Sequence, residues 1–174
     1  MYKYIISLDI SGNFNEGKGT SGVCLFSIEE NRIIDVFTIS AFYSECAEQY
    51  WSEHIDMLNK YKIKYGDELC VRCEDFLLYQ HKANNQIQSR FETPQLIGII
   101  KYWCYITNTK LFIRSASTVK NRWTDDILIK KGYIAKESNS LVPLGCDKHK
   151  LTCHEVDAIR HAVACYYFDL GDNI

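Results

Sequence analysis

Over the first forty positions apolar side chains come in short runs broken by polar turns. Residues 3–10 are rich in β-branched and aromatic residues and read as a strand running into the polar, Gly-containing stretch 11–19. Residues 21–28 and 32–40 repeat the pattern on either side of the Glu29-Glu30-Asn31 turn, which predicts an antiparallel meander of three strands. The period then changes. Cys46, Tyr50, His54 and Met57 fall near helical spacing, as do Ala47, Trp51, Ile55 and Leu58, so a helix is expected over 44–61. Residues 68–74 form a short strand after the Gly66-Asp67 turn, and 75–88 read as a polar, irregular connection. A second helix is expected to about Thr107, with Thr93 as its N-cap and Pro94 at its first position. Residues 110–114 give a fifth strand, and Ser117 is expected to cap a brief helix through Trp123. The stretch 133–150 shows no period and reads as a long loop. Thr152 with Glu155 three residues on forms a capping box that opens a last helix to about Phe168.

Three strands, a helix, a strand, a helix, a strand and closing helices describe an α/β protein with a mixed five-stranded sheet covered by helices. Its first three strands are antiparallel. A length of 174 residues suits one domain spanning 1–174, with enough chain to bury a core unaided. With 47% hydrophobic and 24% charged residues the chain reads as globular, and no apolar run reaches membrane-spanning length. The apolar run at the N-terminus is too short for a signal peptide, so a cytoplasmic location is expected, with the eight cysteines reduced. Cys24, Cys70, Cys73, Cys104 and Cys165 sit in apolar segments and are expected in the core. The net charge of -2 does not mark a nucleic-acid binder, yet residues 118–150 carry seven basic side chains against four acidic ones, a local excess of three. Phosphate could be met there; a solvated mixed surface is the simpler alternative.

Three acidic positions carry the candidate chemistry. Asp9 ends an apolar strand, where a buried carboxylate needs a partner, either a metal or the following Ser11-Gly12 turn. Glu74 and Asp75 end the fourth strand on opposite faces, and pattern alone does not decide which turns inward. His154 and Asp157 share one face of the last helix, a face that His161 continues by one turn. Beside them Ala158, Ala162 and Cys165 make a strip of small residues that would let this helix approach a sheet closely. Carboxylates from two strand ends and a helix are the oxygen supply that Mg²⁺ or Mn²⁺ prefers. Two such ions can activate a water and stabilise the leaving oxygen of a phosphodiester.

Several segments resemble the RuvC-type Holliday junction resolvases of the RNase H-like nuclease superfamily, particularly their diverged phage-encoded relatives. Ile5-Ile6-Ser7-Leu8-Asp9-Ile10-Ser11-Gly12 with Gly19-Thr20-Ser21-Gly22 looks like the family's first strand and return strand, and Val71-Arg72-Cys73-Glu74-Asp75-Phe76 like its second acidic strand. Pro94-Gln95-Leu96-Ile97-Gly98-Ile99-Ile100 followed by Ser115-Ala116-Ser117-Thr118-Val119-Lys120 is similar to its central helix and the strand exit beyond it. His154-Glu155-Val156-Asp157-Ala158 resembles its C-terminal signature. The resemblance spans about residues 4–168 and implies an RNase H-like fold. It implies Asp9, Glu74, His154 and Asp157 as catalytic and metal-binding residues, with His154 as a fourth ligand or a helper of the attacking water, and two Mg²⁺ or Mn²⁺ ions per site. Lys120 would face the phosphate backbone, Phe76 the junction centre, and Lys82, Arg90, Arg122 and Lys150 join them as candidate DNA contacts. A homodimer acting on branched DNA, the four-way junction above all, would make paired nicks in the host cytoplasm if the protein is phage-encoded. The loop between Asp9 and Gly22 is longer than the family's and carries Asn13, Asn15, Glu16 and Lys18, and residues 121–150 match no family pattern.

Other readings compete. Cys146, His149, Cys153 and His154, with Cys70 and Cys73 elsewhere, could form a zinc module, although a strand points Cys70 and Cys73 to opposite faces. A non-catalytic DNA-binding protein of the same fold, or a nuclease of the terminase or repair type, are the others.

Overall fold

The structure, a computed structural model, describes residues 1–14, 18–76 and 91–171. Its centre is a five-stranded sheet in the order β3-β2-β1-β4-β5. β1 (Tyr4–Asp9), β2 (Thr20–Ser27) and β3 (Arg32–Ser40) form the antiparallel meander, and β4 (Leu69–Asp75) and β5 (Lys110–Ser115) run parallel to β1 and to each other. The mixed sheet read from the sequence is therefore the one observed. Parallel strands need crossovers, and these are α1 (Ala47–Tyr65) and α2 (Glu92–Ile106). After β5 come the short α3 (Ala116–Lys120) and α4 (Asp125–Lys130), a hairpin of β6 (Ile134–Glu137) and β7 (Ser140–Pro143), and α5 (Cys153–Ala164), which passes into a π-helical turn over Cys165–Asp169.

β1 is covered on both faces, which explains an apolar run in place of simple alternation. Ile6 and Leu8 pack with Tyr50, Trp51, Leu58, Leu96 and Ile100 of α1 and α2, while Ile5 packs on the other face with Val156, Ala158, Ile159 and Ala162 of α5. Odd positions of β1 and even positions of β4 thus face α5: Ile5, Ser7 and Asp9 on one strand, Cys70, Arg72 and Glu74 on the other. Ala158, Ala162 and Cys165 are fully buried, so the strip of small residues does bring the helix down onto the sheet. Gly22, paired with Asp9 across β1 and β2, makes the same approach possible, because a Cβ there would collide with the His154 carbonyl. Cys24, Cys70, Cys73, Cys104 and Cys165 are buried free thiols, as their apolar neighbours predict.

Three local expectations fail. Thr93 does not cap α2, which begins at Glu92 after Phe91 in a left-handed conformation (φ 52). Its hydroxyl instead accepts the Gly12 amide 81 residues away in the chain, so a tertiary contact outbids the local cap. Ser117 lies inside α3, whose N-cap is Ser115, with no side-chain capping bond. The supposed loop 133–150 contains the β6–β7 hairpin. Its strands are four residues each, too short to show a period, and are fixed by Tyr133 accepting from the Leu144 amide and by Ile134 and Leu141 packing on the α5-side core.

Candidate active site

Asp9 stands at the C-terminal end of β1 and Glu74 near that of β4, adjacent parallel strands, while α5 crosses above them with His154, Asp157 and His161 on its inner face. The turn after Asp9 finds its partners elsewhere: Ser11 N–H donates to Ser21 Oγ, Gly12 N–H to Thr93 Oγ1 and Phe14 N–H to the Glu92 carboxylate. Asp9 does not serve this turn. Only 7% exposed, it lies 2.8 Å from His154 Nδ1 and has a Glu74 carboxylate oxygen within 4.8 Å. Of the two acids ending β4, Glu74 is the one on the α5 face.

The electrostatics reflect crowding of like charges. Burial, then the nearby carboxylate of Glu74 and the charge of Asp157, push the Asp9 carboxyl up to about 7, against the opposing pull of His154. Asp157 is held by Lys120, 2.6 Å away, and by Arg160, which also pairs with Asp125. Burial lowers the Lys120 ammonium, but the hydrogen bond and charge of Asp157, aided by Asp9 and Glu74, outweigh it and raise its pKa. His161 is fully buried, 3.5 Å from Glu74 Oε2, and burial and the Arg72 charge drive its pKa down to about 4. Arg72 itself is fully buried and bonds Asp169, which also binds Arg114.

Among the described residues, Asp9, Glu74 and His161 are the one group of His, Cys, Asp or Glu whose ligand atoms all lie within 4.8 Å of one another. Two carboxylates this close repel once both are ionised, and neither nitrogen of the buried His161 has a hydrogen-bond partner. A divalent cation answers both conditions, so the donor set fits one. His154 and Asp157 border this group, His154 through its bond to Asp9 and Asp157 through its charge on Asp9.

The other predicted residues scatter more widely. Lys120 is at the site, though paired with Asp157. Phe76 is half-buried just beyond β4. Arg122 lies over the Phe168 ring, 4.7 Å from its centroid, and Lys150 is exposed two residues before the N-cap of α5. Lys82 and Arg90 fall outside the described residues. The zinc constellation is overturned: Cys146, His149, Cys153 and His154 do not converge, Cys146 packs against the α5-side core, and Cys70 and Cys73 point to opposite faces of β4. His161 is the site residue that sequence reasoning left without a role, although its spacing of four from Asp157 and seven from His154 carried the signal.

No protein-family model matches the sequence, and no curated protein matches it either. In structure the chain is similar to T. thermophilus RuvC in complex with Holliday junction substrate, with a TM-score of 0.67 and 12% identity over 98% of this chain and 97% of that one. It is also similar to the fowlpox virus Holliday junction resolvase, with a TM-score of 0.46 and 16% identity over 98% and 99%. The chain has the RuvC-type, RNase H-like fold. Among the described residues no helix is long and apolar enough to cross a membrane.

Proposed function

We propose that this chain is a divalent-metal-dependent endodeoxyribonuclease, a single nuclease domain that cuts branched DNA with the four-way junction as its main substrate. The observation that carries the reading is the meeting of Asp9, Glu74, His154 and Asp157 at the strand ends of a fold shared with a protein whose structure holds Holliday junction substrate. Asp9 and Glu74 would hold Mg²⁺ or Mn²⁺, with Asp157 and His154 beside them. When bound, two such ions supply the Lewis acidity that activates a water and neutralises charge on the scissile phosphate.

The chain's own residues do the rest. Ionised Asp9 would accept from His154 Nδ1–H across their 2.8 Å contact, the tautomer that leaves Nε2 with a lone pair able to take a proton from the attacking water. Lys120, held by Asp157, sets a cation at the edge of the site where the phosphate oxygens would lie. Arg160 and Asp125 fix Asp157 from behind. A homodimer, one site per strand, would make the paired nicks that leave ligatable ends, in the cytoplasm of a host cell if the protein is phage-encoded.

The decisive experiment compares cutting of labelled junction, fork, flap and plain duplex with Mg²⁺, with Mn²⁺ and with chelator. The junction should be cut best, only with metal. Asp9→Asn and Asp157→Asn should bind it and leave it intact. Full activity in either variant would end the site assignment, and preferential cutting of plain duplex or flap would transfer the protein to another nuclease class of the same fold.

A further inference from the structure

His161 is the residue on the inner face of α5 that the nuclease reading does not use. It is fully buried, and neither ring nitrogen has a hydrogen-bond partner. A buried polar group left unsatisfied destabilises the fold, and its neighbours along the helix toward the sheet, Ala158 and Ala162, are apolar and buried as well. The imidazole is aimed at the acids, with a nitrogen within 4.8 Å of carboxylate oxygens of both Asp9 and Glu74. Arg72 is the competing partner, since its Nε and Nη2 are also buried without hydrogen bonds and its charge acts on His161. Yet no hydrogen bond joins the two, and Arg72 Nη1 is committed to Asp169 at 3.1 Å.

We propose that His161 is a direct nitrogen ligand of the divalent cation held by Asp9 and Glu74, and that it makes the site prefer a first-row transition ion, probed as Mn²⁺, to Mg²⁺. The inference rests on the metal-holding part of the nuclease reading and adds a ligand and a selectivity to it. Mg²⁺ demands a near-ideal octahedron of oxygens and keeps its waters, whereas imidazole suits transition ions. A rigid donor set of two carboxylates and one buried nitrogen therefore gains more from Mn²⁺ than from Mg²⁺. Placement on α5, which is pinned by its capping box and by the small residues beneath it, leaves the ring little freedom to withdraw.

The test is electron paramagnetic resonance of the whole protein titrated with Mn²⁺, using electron spin echo modulation to detect a directly bound histidine nitrogen, with Mg²⁺ added in competition. The wild type should bind Mn²⁺ more tightly than Mg²⁺ and show the nitrogen coupling. His161→Gln should lose that coupling and at least about tenfold in Mn²⁺ affinity, the low end of what even an outer-sphere partner is worth, while Mg²⁺ affinity changes far less. His154→Ala should keep the coupling. This variant makes the test independent of whether His161→Gln folds, because it leaves His161 as the imidazole facing Glu74. No nitrogen coupling in the wild type, coupling that persists in His161→Gln, or coupling lost in His154→Ala would each overturn the inference. Junction cutting is scored separately: a protein that binds Mn²⁺ through His161 but leaves DNA whole sinks the nuclease reading alone, and one that cuts without nitrogen coupling sinks the ligand alone.

Discussion

Asp9 shows at the scale of one residue how a site can oppose the stability of its own fold. Its carboxyl titrates near 7 in the folded chain against 3.8 for the free side chain, because burial and Glu74 disfavour its charge. The folded state therefore holds a proton that the unfolded chain has lost. Stability from this group is complete below about pH 4 and disappears as pH rises through 7. At neutral pH, Asp9→Asn should be more stable than the wild type by about 1 to 3 kcal/mol in chelator and should fail to cut junctions when metal is supplied, as equilibrium urea denaturation and a junction assay would show. A loss of stability in that variant would mean that Asp9 is not strained by its neighbours. His54 titrates with the opposite sign. Buried and driven down to about 4, it favours the fold above 6.5 and withdraws that support as pH falls toward 4. His161, driven down to about 4 as well, adds to His54, so the metal-free wild type should lose stability as pH falls from about 6.5 toward 4, with Asp9 offsetting only part of the loss, and Asp9→Asn should decline more steeply toward acid. At this scale the sequence was informative about residue type and spacing but not about burial. Asp9 and Glu74 announce themselves as acids that end apolar strands, whereas His161 looks like any helical histidine until the sheet beneath it is known.

Elements bring these residues together, and two narrow contacts decide how closely. Gly22 on β2 faces the first turn of α5, and a methyl group there would drive into the His154 backbone. Gly22→Ala should cost about 1 to 3 kcal/mol or more by overpacking against a carbonyl that cannot move aside, and should lift His154 and Asp157 away from Asp9. Denaturant melts together with Mn²⁺ binding check both parts; unaltered metal affinity would show that the helix does not set the site. On the other side of the sheet His54, Ser21 and Tyr50 form a buried chain of hydrogen bonds at 3.0 and 3.1 Å, and Tyr50 and Trp51 donate to the carbonyls of Ser11 and Gly12. α1 thereby fixes the turn that follows Asp9. Ser21→Ala would leave His54 Nε2 unsatisfied, so a loss of about 1 to 3 kcal/mol is expected, detectable in the same melts. Strands and long helices were legible because periodicity survives over six or more residues, and the Thr152 capping box because both its partners are local. The β6–β7 hairpin and the start of α2 were not. Four-residue strands carry no period, and Thr93 was claimed by the Gly12 amide, a partner that no local window contains.

For the molecule as a whole, the electrostatic question is how a chain of net charge -2 would hold a polyanion. The described ion pairs do not enlarge the basic excess of residues 118–150, since Lys148 and Glu137 cancel within the segment and Lys120 spent on Asp157 is offset by Asp125 spent on Arg160. Binding should therefore depend on a few cations near the acids rather than on a broad basic face, with divalent metal supplying positive charge where the phosphate must lie. Lys120 separates two versions of this picture. If it turns from Asp157 to a phosphate when DNA binds, Lys120→Ala should weaken binding to every sequence and reduce the slope of log affinity against log salt by about one. If it only neutralises Asp157, the slope stays put while metal affinity shifts, because removing the ammonium leaves that carboxylate to Arg160 alone and more available to a cation. Measuring both quantities on Lys120→Ala and on the otherwise unaltered protein, with Ca²⁺ in place of the reactive ion so that Asp9 is kept as a ligand, separates contact with the backbone from tuning of the site. The phosphate role predicts a change in slope; a slope equal to that of the parent would remove Lys120 from the interface and leave Arg122, Lys150 and Phe76 as the described candidates to carry it.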